Sequence, residues 1–308
     1  MEKTIKLITH DGSFHTDDIF AAATLSIYLE KKEFEIIRTR DPEVINNGDY
    51  VFDVGGVYDA EKNRFDHHQV GGAGKREDGI EYASFGLVWK KFGAEVCGSE
   101  KAALAIEKRL AAPIDAWDNA FDLVDNKYET TPYFIQHLFG AMRPTWREEP
   151  ARPHDSSGAG GNLSNDEMFL KSVEIAKIIL SREIIQAQDA ILAEETVTSI
   201  YQNTADKRII VLDKHYPFEY ILQNFPEPLY VIYPRATDNL WGVKATRNDS
   251  KTFVNRKDFP KSWAGLHDEE LQKVSGVPDA VFCHRGLFLA VAKSKEGAIK
   301  LAQIAVES

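Results

Sequence analysis

The sequence predicts an α/β protein: a mostly parallel sheet in an N-terminal domain, followed by a smaller α+β domain. Three observations predict it. Short apolar runs alternate with helical patterns from Ile5 to Asn119, the β-α-β order of a parallel sheet covered by helices. At 308 residues the chain exceeds the size, about 250–300 residues, at which a single core stops growing. A stretch rich in Pro, Gly and Ser, residues 147–165, interrupts the pattern and reads as a linker or insert. The expected division is a metal-binding domain over residues 1–150, a linker and long connecting helix over 151–204, and a substrate-binding domain over 205–308.

Residues 5–9 (IKLIT) form a buried strand pattern. Residues 18–29 space their apolar side chains by three and four, which predicts a helix. Residues 34–40 alternate as a second strand, and Asp41-Pro42 opens a turn or short helix. Residues 50–54 are a third strand, ended by Gly55-Gly56. Residues 58–65 make a turn and a short strand that delivers Asp66-His67-His68. The segment from Gln69 to Gly79 is glycine-rich and charged, yet it is not a phosphate-binding P-loop. The positions that would need Gly and Ser or Thr hold Gln69 and Arg76. It reads as a mobile loop, with Lys75 and Arg76 as candidate phosphate contacts. Helical patterns follow from Ser84 to Phe92, over 100–111, through Pro113 to Asn119, over 136–142 and, as one long helix, over 166–201. The second domain shows strands at 208–212, 229–233, 241–245 and 280–284, and helices at 268–274 and 296–306. No internal repeat is visible.

The net charge of −11 excludes a protein that binds nucleic acid by bulk electrostatics, so any such contact needs a local patch. Lys244, Arg247, Lys251, Arg256, Lys257 and Lys261 form one, diluted by Asp249 and Asp258, with Trp241, Phe253 and Trp263 among them. Bases stack on aromatics and phosphates need cations, so this mixture suits single-stranded nucleic acid. The bland alternative is core aromatics beneath a solvated face. His284-Arg285 at a strand end is a further candidate contact. Cys97 and Cys283 lie far apart with no CxxC partner, which excludes a disulfide framework and fits a reducing cytoplasm. The strand pattern begins by Thr4, leaving no room for a signal peptide. No apolar run approaches the roughly 20 residues of a membrane span. A cytoplasmic protein is expected.

Acids and imidazoles collect where the apolar runs end. His10, His15, Asp17 and Asp18 follow the first run, Asp53 ends another, Asp66, His67 and His68 end the next, and Asp115 and Asp118 follow Pro113. In an open α/β sheet, residues beyond the carboxyl ends of the strands gather at one edge. Carboxylates and imidazoles gathered there repel or go unpaired unless a cation joins them. Taken singly each has a bland reading: His10 as a strand-end histidine, Asp17, Asp18 or Asp115 as a helix cap. Together they point to metal. Two divalent ions about 3.5–4 Å apart use about six or seven such ligands, often with one bridging carboxylate. Imidazole and carboxylate without thiolate fit Mn²⁺ best, with Mg²⁺, Co²⁺ or Zn²⁺ as alternatives.

These residues also carry a resemblance. His10…His15-Thr16-Asp17-Asp18, Asp53-Val54-Gly55-Gly56, Arg64-Phe65-Asp66-His67-His68-Gln69 and Ile114-Asp115-Ala116-Trp117-Asp118-Asn119 resemble the DHH phosphoesterase superfamily. That group includes manganese-dependent pyrophosphatases and single-strand-specific exonucleases. Over nearly its full length the chain is similar to the melanocyte-proliferating-gene exonuclease family. Arg143-Pro144-Thr145-Trp146, Phe253-Val254-Asn255-Arg256, Trp263-Ala264-Gly265-Leu266 and Phe282-Cys283-His284 add to that similarity. The resemblance implies a DHH-type N-terminal domain. It implies that His10 and His15 bind one ion, that Asp17, His67 and Asp115 bind the other, and that Asp53 bridges. Asp118 is the second candidate for the place given to Asp115. Asp66 is implied to orient His67, and His68 to touch the substrate phosphate; with Asp18 these are the expected catalytic residues. His15 stands where most of the superfamily has an aspartate, which makes Mg²⁺ a poorer occupant.

The expected activity is phosphodiester hydrolysis by a metal-bridging hydroxide, and the resemblance implies a 3′→5′ exonuclease acting on single-stranded RNA. The substrate is expected to meet Lys75, Arg76, Arg247, Arg256, Lys257, His284 and Arg285 in a cleft between the domains. One alternative is a hydrolase of a small phosphoester, dinucleotide or pyrophosphate. A non-catalytic metal- or nucleic-acid-binding module is another, against which a bridging carboxylate argues. No HExxH helix or other peptidase signature is present.

Overall fold

A computed structural model describes residues 3–150, 161–249 and 252–308. Residues 151–160 of the expected linker, and Lys251 of the expected basic patch, lie outside the described residues. The chain divides into two compact units, Met1–Gln188 and Asp189–Ser308.

The first unit contains β1 (Ile5–Thr9), α1 (Thr16–Tyr28), β2 (Phe34–Arg38), α2 (Pro42–Asn46), β3 (Tyr50–Phe52), β4 (Tyr58–Asp59) and β5 (Arg64–Phe65). It continues with α3 (Ser84–Cys97), α4 (Glu100–Ile106), a π-helical turn (Glu107–Ala111), α5 (Ala112–Asp118), α6 (Ile135–Ala141) and the start of α7 (Asn165–Asn203). The sheet order is β2-β1-β3-β5-β4. The first four strands run parallel and β4 pairs antiparallel at the edge. The parallel sheet read from the sequence is therefore present. β1 lies in its interior with Leu7 and Ile8 fully buried, as a strand covered on both faces requires. Phe20 of α1 and Phe85 of α3 meet at 5.2 Å, so these helices pack through the apolar stripe that the spacing predicts. α1 is buried from Thr16 to Ser26, its two acids included.

The division between units falls within α7. The second unit has β6 (Ile209–Val211), α8 (Glu219–Leu222), β7 (Tyr230–Pro234), β8 (Trp241–Ala245), α9 (Asp268–Ser275), β9 (Ala280–Cys283), β10 (Leu289–Ala292) and α10 (Lys295–Glu307). Its sheet order is β6-β7-β8-β10-β9, with only β6 and β7 parallel. Side chains of β7 alternate between two cores. Tyr230 and Ile232 pack with Leu301 of α10 and with Trp263. Val231 and Tyr233 pack with Val197 of α7 and Leu222 of α8. β10 is an addition to the sequence reading. Leu-Ala-Val-Ala is too short and too poor in β-branched residues to announce a strand, and its pairing with β8 and β9 makes it one. No helix among the described residues is long and apolar enough to cross a membrane.

Candidate metal centre

Three adjacent parallel strands deliver the first candidate ligands. β1 ends one residue before His10, β3 one residue before Asp53, and β5 one residue before Asp66-His67. Their order in the sheet is β1-β3-β5, so Asp53 stands between the two histidines. Its Oδ2 lies 3.2 Å from His10 Nε2 and its Oδ1 lies 3.3 Å from His67 Nε2. Each oxygen of one carboxylate thus faces a different imidazole. Asp53 holds φ at 55°, a left-handed conformation that Asp tolerates better than most residues. Such a backbone at a strand end marks functional sites.

α1 supplies the next layer from its first turn. Asp17 and Asp18 are fully buried there. Asp18 Oδ1 accepts the His15 main-chain N–H at 2.9 Å, and its Oδ2 lies 3.2 Å from His10 Nε2. Asp17 Oδ2 lies 4.0 Å from His67 Nε2. α5 contributes from its last residue: Asp118 Oδ2 is 3.2 Å from His67 Nε2. Among the described residues, three groups could each hold an ion: His10, His15 and Asp53; Asp53, His67 and His68; His15, Asp17 and Asp118. Asp53 and His15 are each shared between two of them.

The donor set fits a divalent cation. Among the described residues, neither oxygen of Asp17, nor His10 Nε2, Asp18 Oδ2 or His67 Nε2, makes a well-directed hydrogen bond, although all are buried and the imidazoles lie within ion-pair distance of the acids. Buried polar atoms are otherwise satisfied almost everywhere in folded proteins. Burial, reinforced by Asp53, Asp118, Asp18 and Asp115, pushes Asp17 well above the usual carboxylate range. Burial would lower His10 and His67; instead Asp18 and Asp53 raise the first to about 10, and Asp118 and Asp53 the second. Against its own burial, Asp53 is held low by His10 and His67. The acids therefore favour positive charge between them, which a coordinated ion would supply. Both cysteines are buried, in α3 and β9, and no thiolate joins the set.

Asp115 is placed elsewhere. It is fully buried, with Oδ2 2.7 Å from Arg76 Nη2 and Oδ1 accepting the Gly86 N–H at 3.0 Å. Burial pushes its carboxyl up to about 7 against the pull of Arg76. A Cβ on Gly86 would overlap the Asp115 carboxylate, so the glycine is what lets α5 approach α3 here. Arg76 also donates to Glu107 and lies over the Tyr82 ring. The arginine expected to reach a phosphate is instead folded onto two acids. Asp66 differs as well. Its Oδ1 takes the main-chain N–H groups of His67 and His68 and the His68 Nδ1 at 2.7 Å, so the imidazole it orients is that of His68.

A cavity of about 610 Å³ opens onto the centre, lined by His15, Asp17, His68, Trp117, Asp118 and Arg143 among others. Arg143, just beyond α6, was visible in the sequence only as part of a resemblance. Its guanidinium lies 5.8 Å from the Phe14 ring, and its buried Nε has no partner. Burial lowers its pKa while Asp18 opposes the shift. No local signal could have tied it to His10, more than a hundred residues earlier.

In the second unit, Arg256 donates to the main-chain oxygens of Gln223, Phe225 and Pro228, and Lys257 to that of Val306. Trp263 is buried. These three residues hold the unit together. Arg247 lies 4.6 Å from the centre of the exposed Phe253 ring and lines a cavity with Lys244, whose ammonium pairs with Glu219. His284 Nδ1 accepts the Gly286 N–H, and Arg285 is exposed beside it, as Lys75 is in the first unit.

Asp115 and Asp118 can be told apart by experiment. Asp115→Asn removes one partner of a buried ion pair and should cost about 3–5 kcal/mol of stability while leaving metal content unchanged. Asp118→Asn should leave the denaturation midpoint near wild type and weaken metal binding. Denaturant titration and metal titration of both variants check this; the reverse pattern restores Asp115 as the ligand.

The MYG1_exonuc family model, described as "Uncharacterised protein family (UPF0160)", matches residues 6–306. The chain is 31% identical over 298 residues to a MYG1 protein of Chlamydia pneumoniae, covering 94% of this chain and 92% of that one. It is 29% identical over 330 residues to a protein of Bos taurus named MYG1 exonuclease, covering 96% and 83%. Among solved structures, it is similar to a pGpG-specific phosphodiesterase, PggH, from Vibrio cholerae. That likeness has a TM-score of 0.32 and 13% identity, over 99% of both chains.

Proposed function

The chain belongs to the MYG1_exonuc family (UPF0160), and from that premise we propose that it is a metal-dependent phosphodiester hydrolase, a 3′→5′ exonuclease acting on single-stranded RNA. One observation carries the reading: the two oxygens of Asp53 face the two imidazoles of His10 and His67. That is the disposition of a carboxylate shared by two ions. His10 and His15 would hold one ion, and Asp17, His67 and Asp118 the other, with Asp53 common to both. The carboxylates suit Mn²⁺, and the three imidazoles without thiolate disfavour Mg²⁺ and keep Co²⁺ and Zn²⁺ as alternatives. Such ions, when bound, generate a nucleophile from water at neutral pH and offset charge on the phosphoryl and leaving oxygens.

The chain's own residues do the rest. Asp18 ties the His15 main chain to the start of α1 and faces His10, so it fixes the ring that ligates. Asp66 holds His68 by Nδ1, which turns Nε2 of that exposed ring away from the acids. His68 can then give a hydrogen bond to a phosphate oxygen. Arg143 lines the same cavity and supplies a second donor to that phosphate, in a site where burial strengthens charge–charge attraction. In the second unit, Arg247 and Phe253 pair a cation with an exposed ring, a combination that suits a nucleotide.

A manganese-supplemented screen across RNA, DNA, dinucleotides and pyrophosphate, with product lengths resolved, tests the reading. Stepwise release of mononucleotides from the 3′ end of RNA is expected. Hydrolysis confined to dinucleotides or pyrophosphate would replace the exonuclease with a small-substrate hydrolase. Metal binding without hydrolysis of any of them would leave a binding module.

A further inference from the structure

A second cavity, of about 660 Å³, adjoins the metal centre within the first unit. Its wall is apolar and aromatic: Pro113, Ile114, Trp117, Phe121 and Phe134, with His137 at the edge. Ile114, Trp117, Gln136 and His137 also line the cavity over the metal ligands, so the two spaces share one wall. The rings are arranged around Trp117. Phe134 lies 5.6 Å from it, and His137 lies 5.3 Å from it at 89°. Trp117 remains 47% exposed and Phe121 40%. A cluster of rings that meet tilted or edge-on and still present their surfaces has not completed its burial.

We propose that this cavity binds the nucleobase of the nucleotide being cleaved, with Trp117 as the stacking platform. The proposal rests on the hydrolase reading and assigns the substrate's base a place within it. Covalent connection gives the reason. Trp117 precedes Asp118 on α5, and Asp118 reaches His67 in the metal centre. One short helix therefore sets the distance from the ligands to the ring. A phosphate held over His68 and Arg143 has its sugar and base within reach of the shared wall. A cavity of this volume lies in the range of small-molecule sites, which are mostly apolar with a few polar groups that fix orientation. The amides of Asn126 and Gln136 are such groups, and each can both donate to and accept from a base edge. Stacking tolerates any base because every base has a π-face, so this pocket would select for a base without choosing among them.

The test is binding, read by calorimetry on the manganese-loaded full chain. Adenosine 5′-monophosphate and ribose 5-phosphate share a phosphate and a sugar and differ by the base. The wild-type protein should bind the first on the order of 10- to 100-fold more tightly, the size of one stacking interaction. Trp117→Ala should remove most of that advantage, Phe134→Ala part of it, and Trp117→Phe should keep most of it. Manganese content, measured on each variant because Asp118 is the next residue, should stay at the wild-type level. Equal affinity for the two ligands in the wild type, or an advantage that survives both alanine variants, overturns the proposal. So does an advantage lost only together with manganese, because Trp117 would then act through Asp118. A protein that shows the base advantage yet cleaves no phosphodiester overturns the hydrolase reading and leaves the base pocket standing.

Discussion

Asp53→Asn should abolish turnover and release metal. Asparagine keeps the shape and one oxygen of the side chain, and it replaces the other oxygen with an amide that cannot ligate. Both oxygens are engaged in the wild type, one toward His10 and one toward His67, so either orientation of the amide sacrifices one side. Asparagine also tolerates the left-handed backbone at this position, so the fold should survive. Removing the carboxylate that His10 and His67 hold ionised should lower metal-free stability, because a depressed pKa marks a charge that the fold favours. The single-turnover rate should fall at least ~10³-fold, beyond the effect of losing one transition-state donor. Elemental analysis should find at least one ion missing. A variant that retains its full metal content and cleaves within tenfold of wild type would falsify the shared-carboxylate reading.

The parts of the centre that were legible share one feature: each follows an apolar strand. Ile5 to Thr9, Tyr50 to Phe52 and Arg64-Phe65 announce parallel strands, and the strand ends must then meet at one edge. His10, Asp53 and His67 could be named on that logic alone. The helix-borne acids were harder. Asp115 and Asp118 are three residues apart on α5, and spacing alone puts them on the same face. What distinguishes them is Gly86 in α3, whose missing Cβ admits the Asp115 carboxylate, and Arg76, which closes over it. Neither fact is local to α5.

The basic residues show the same limit from the other side. Arg76 in a glycine-rich loop and Arg256 among aromatics carry the composition of phosphate contacts. Each instead satisfies groups inside the fold, Arg76 two acids and Arg256 three carbonyls. A guanidinium offers five donors, and folded chains use it as readily to tie up orphan acceptors as to bind ligands. Sequence shows the charge and leaves its partner unstated. Arg143 and Trp117 reverse the case: one sits in a Pro-containing turn, the other next to a ligand, and only the shared cavity wall relates them to the strand ends.

His67→Ala and His68→Ala should separate metal binding from substrate binding within two adjacent residues. The rings lie only 4.3 Å apart, yet their surroundings differ. His67 is 6% exposed at its side chain and meets Asp53 and Asp118; His68 is 61% exposed and meets Asp66 at 2.7 Å, with Asp53 farther off at 3.6 Å. Despite burial, Asp66 is held below the usual carboxylate range by His68 and by the main-chain N–H groups of Gly56 and His68. It is therefore ionised, and its hydrogen bond raises the His68 pKa above the ordinary imidazole value. A protonated ring is the form that best donates to phosphate, whereas a ligand ring must be neutral. His67→Ala should lose an ion and all measurable turnover. His68→Ala should keep the wild-type metal content and slow the single-turnover rate on the order of 10²–10³-fold, the cost of one donor to the transition state. His68→Gln restores a neutral donor and should recover part of that loss. Asp53, His67 and His68 also form one of the groups able to hold an ion, so the opposite outcome has a structural basis. A His68→Ala protein short of one ion would make His68 a ligand and leave Arg143 as the principal contact to the phosphate.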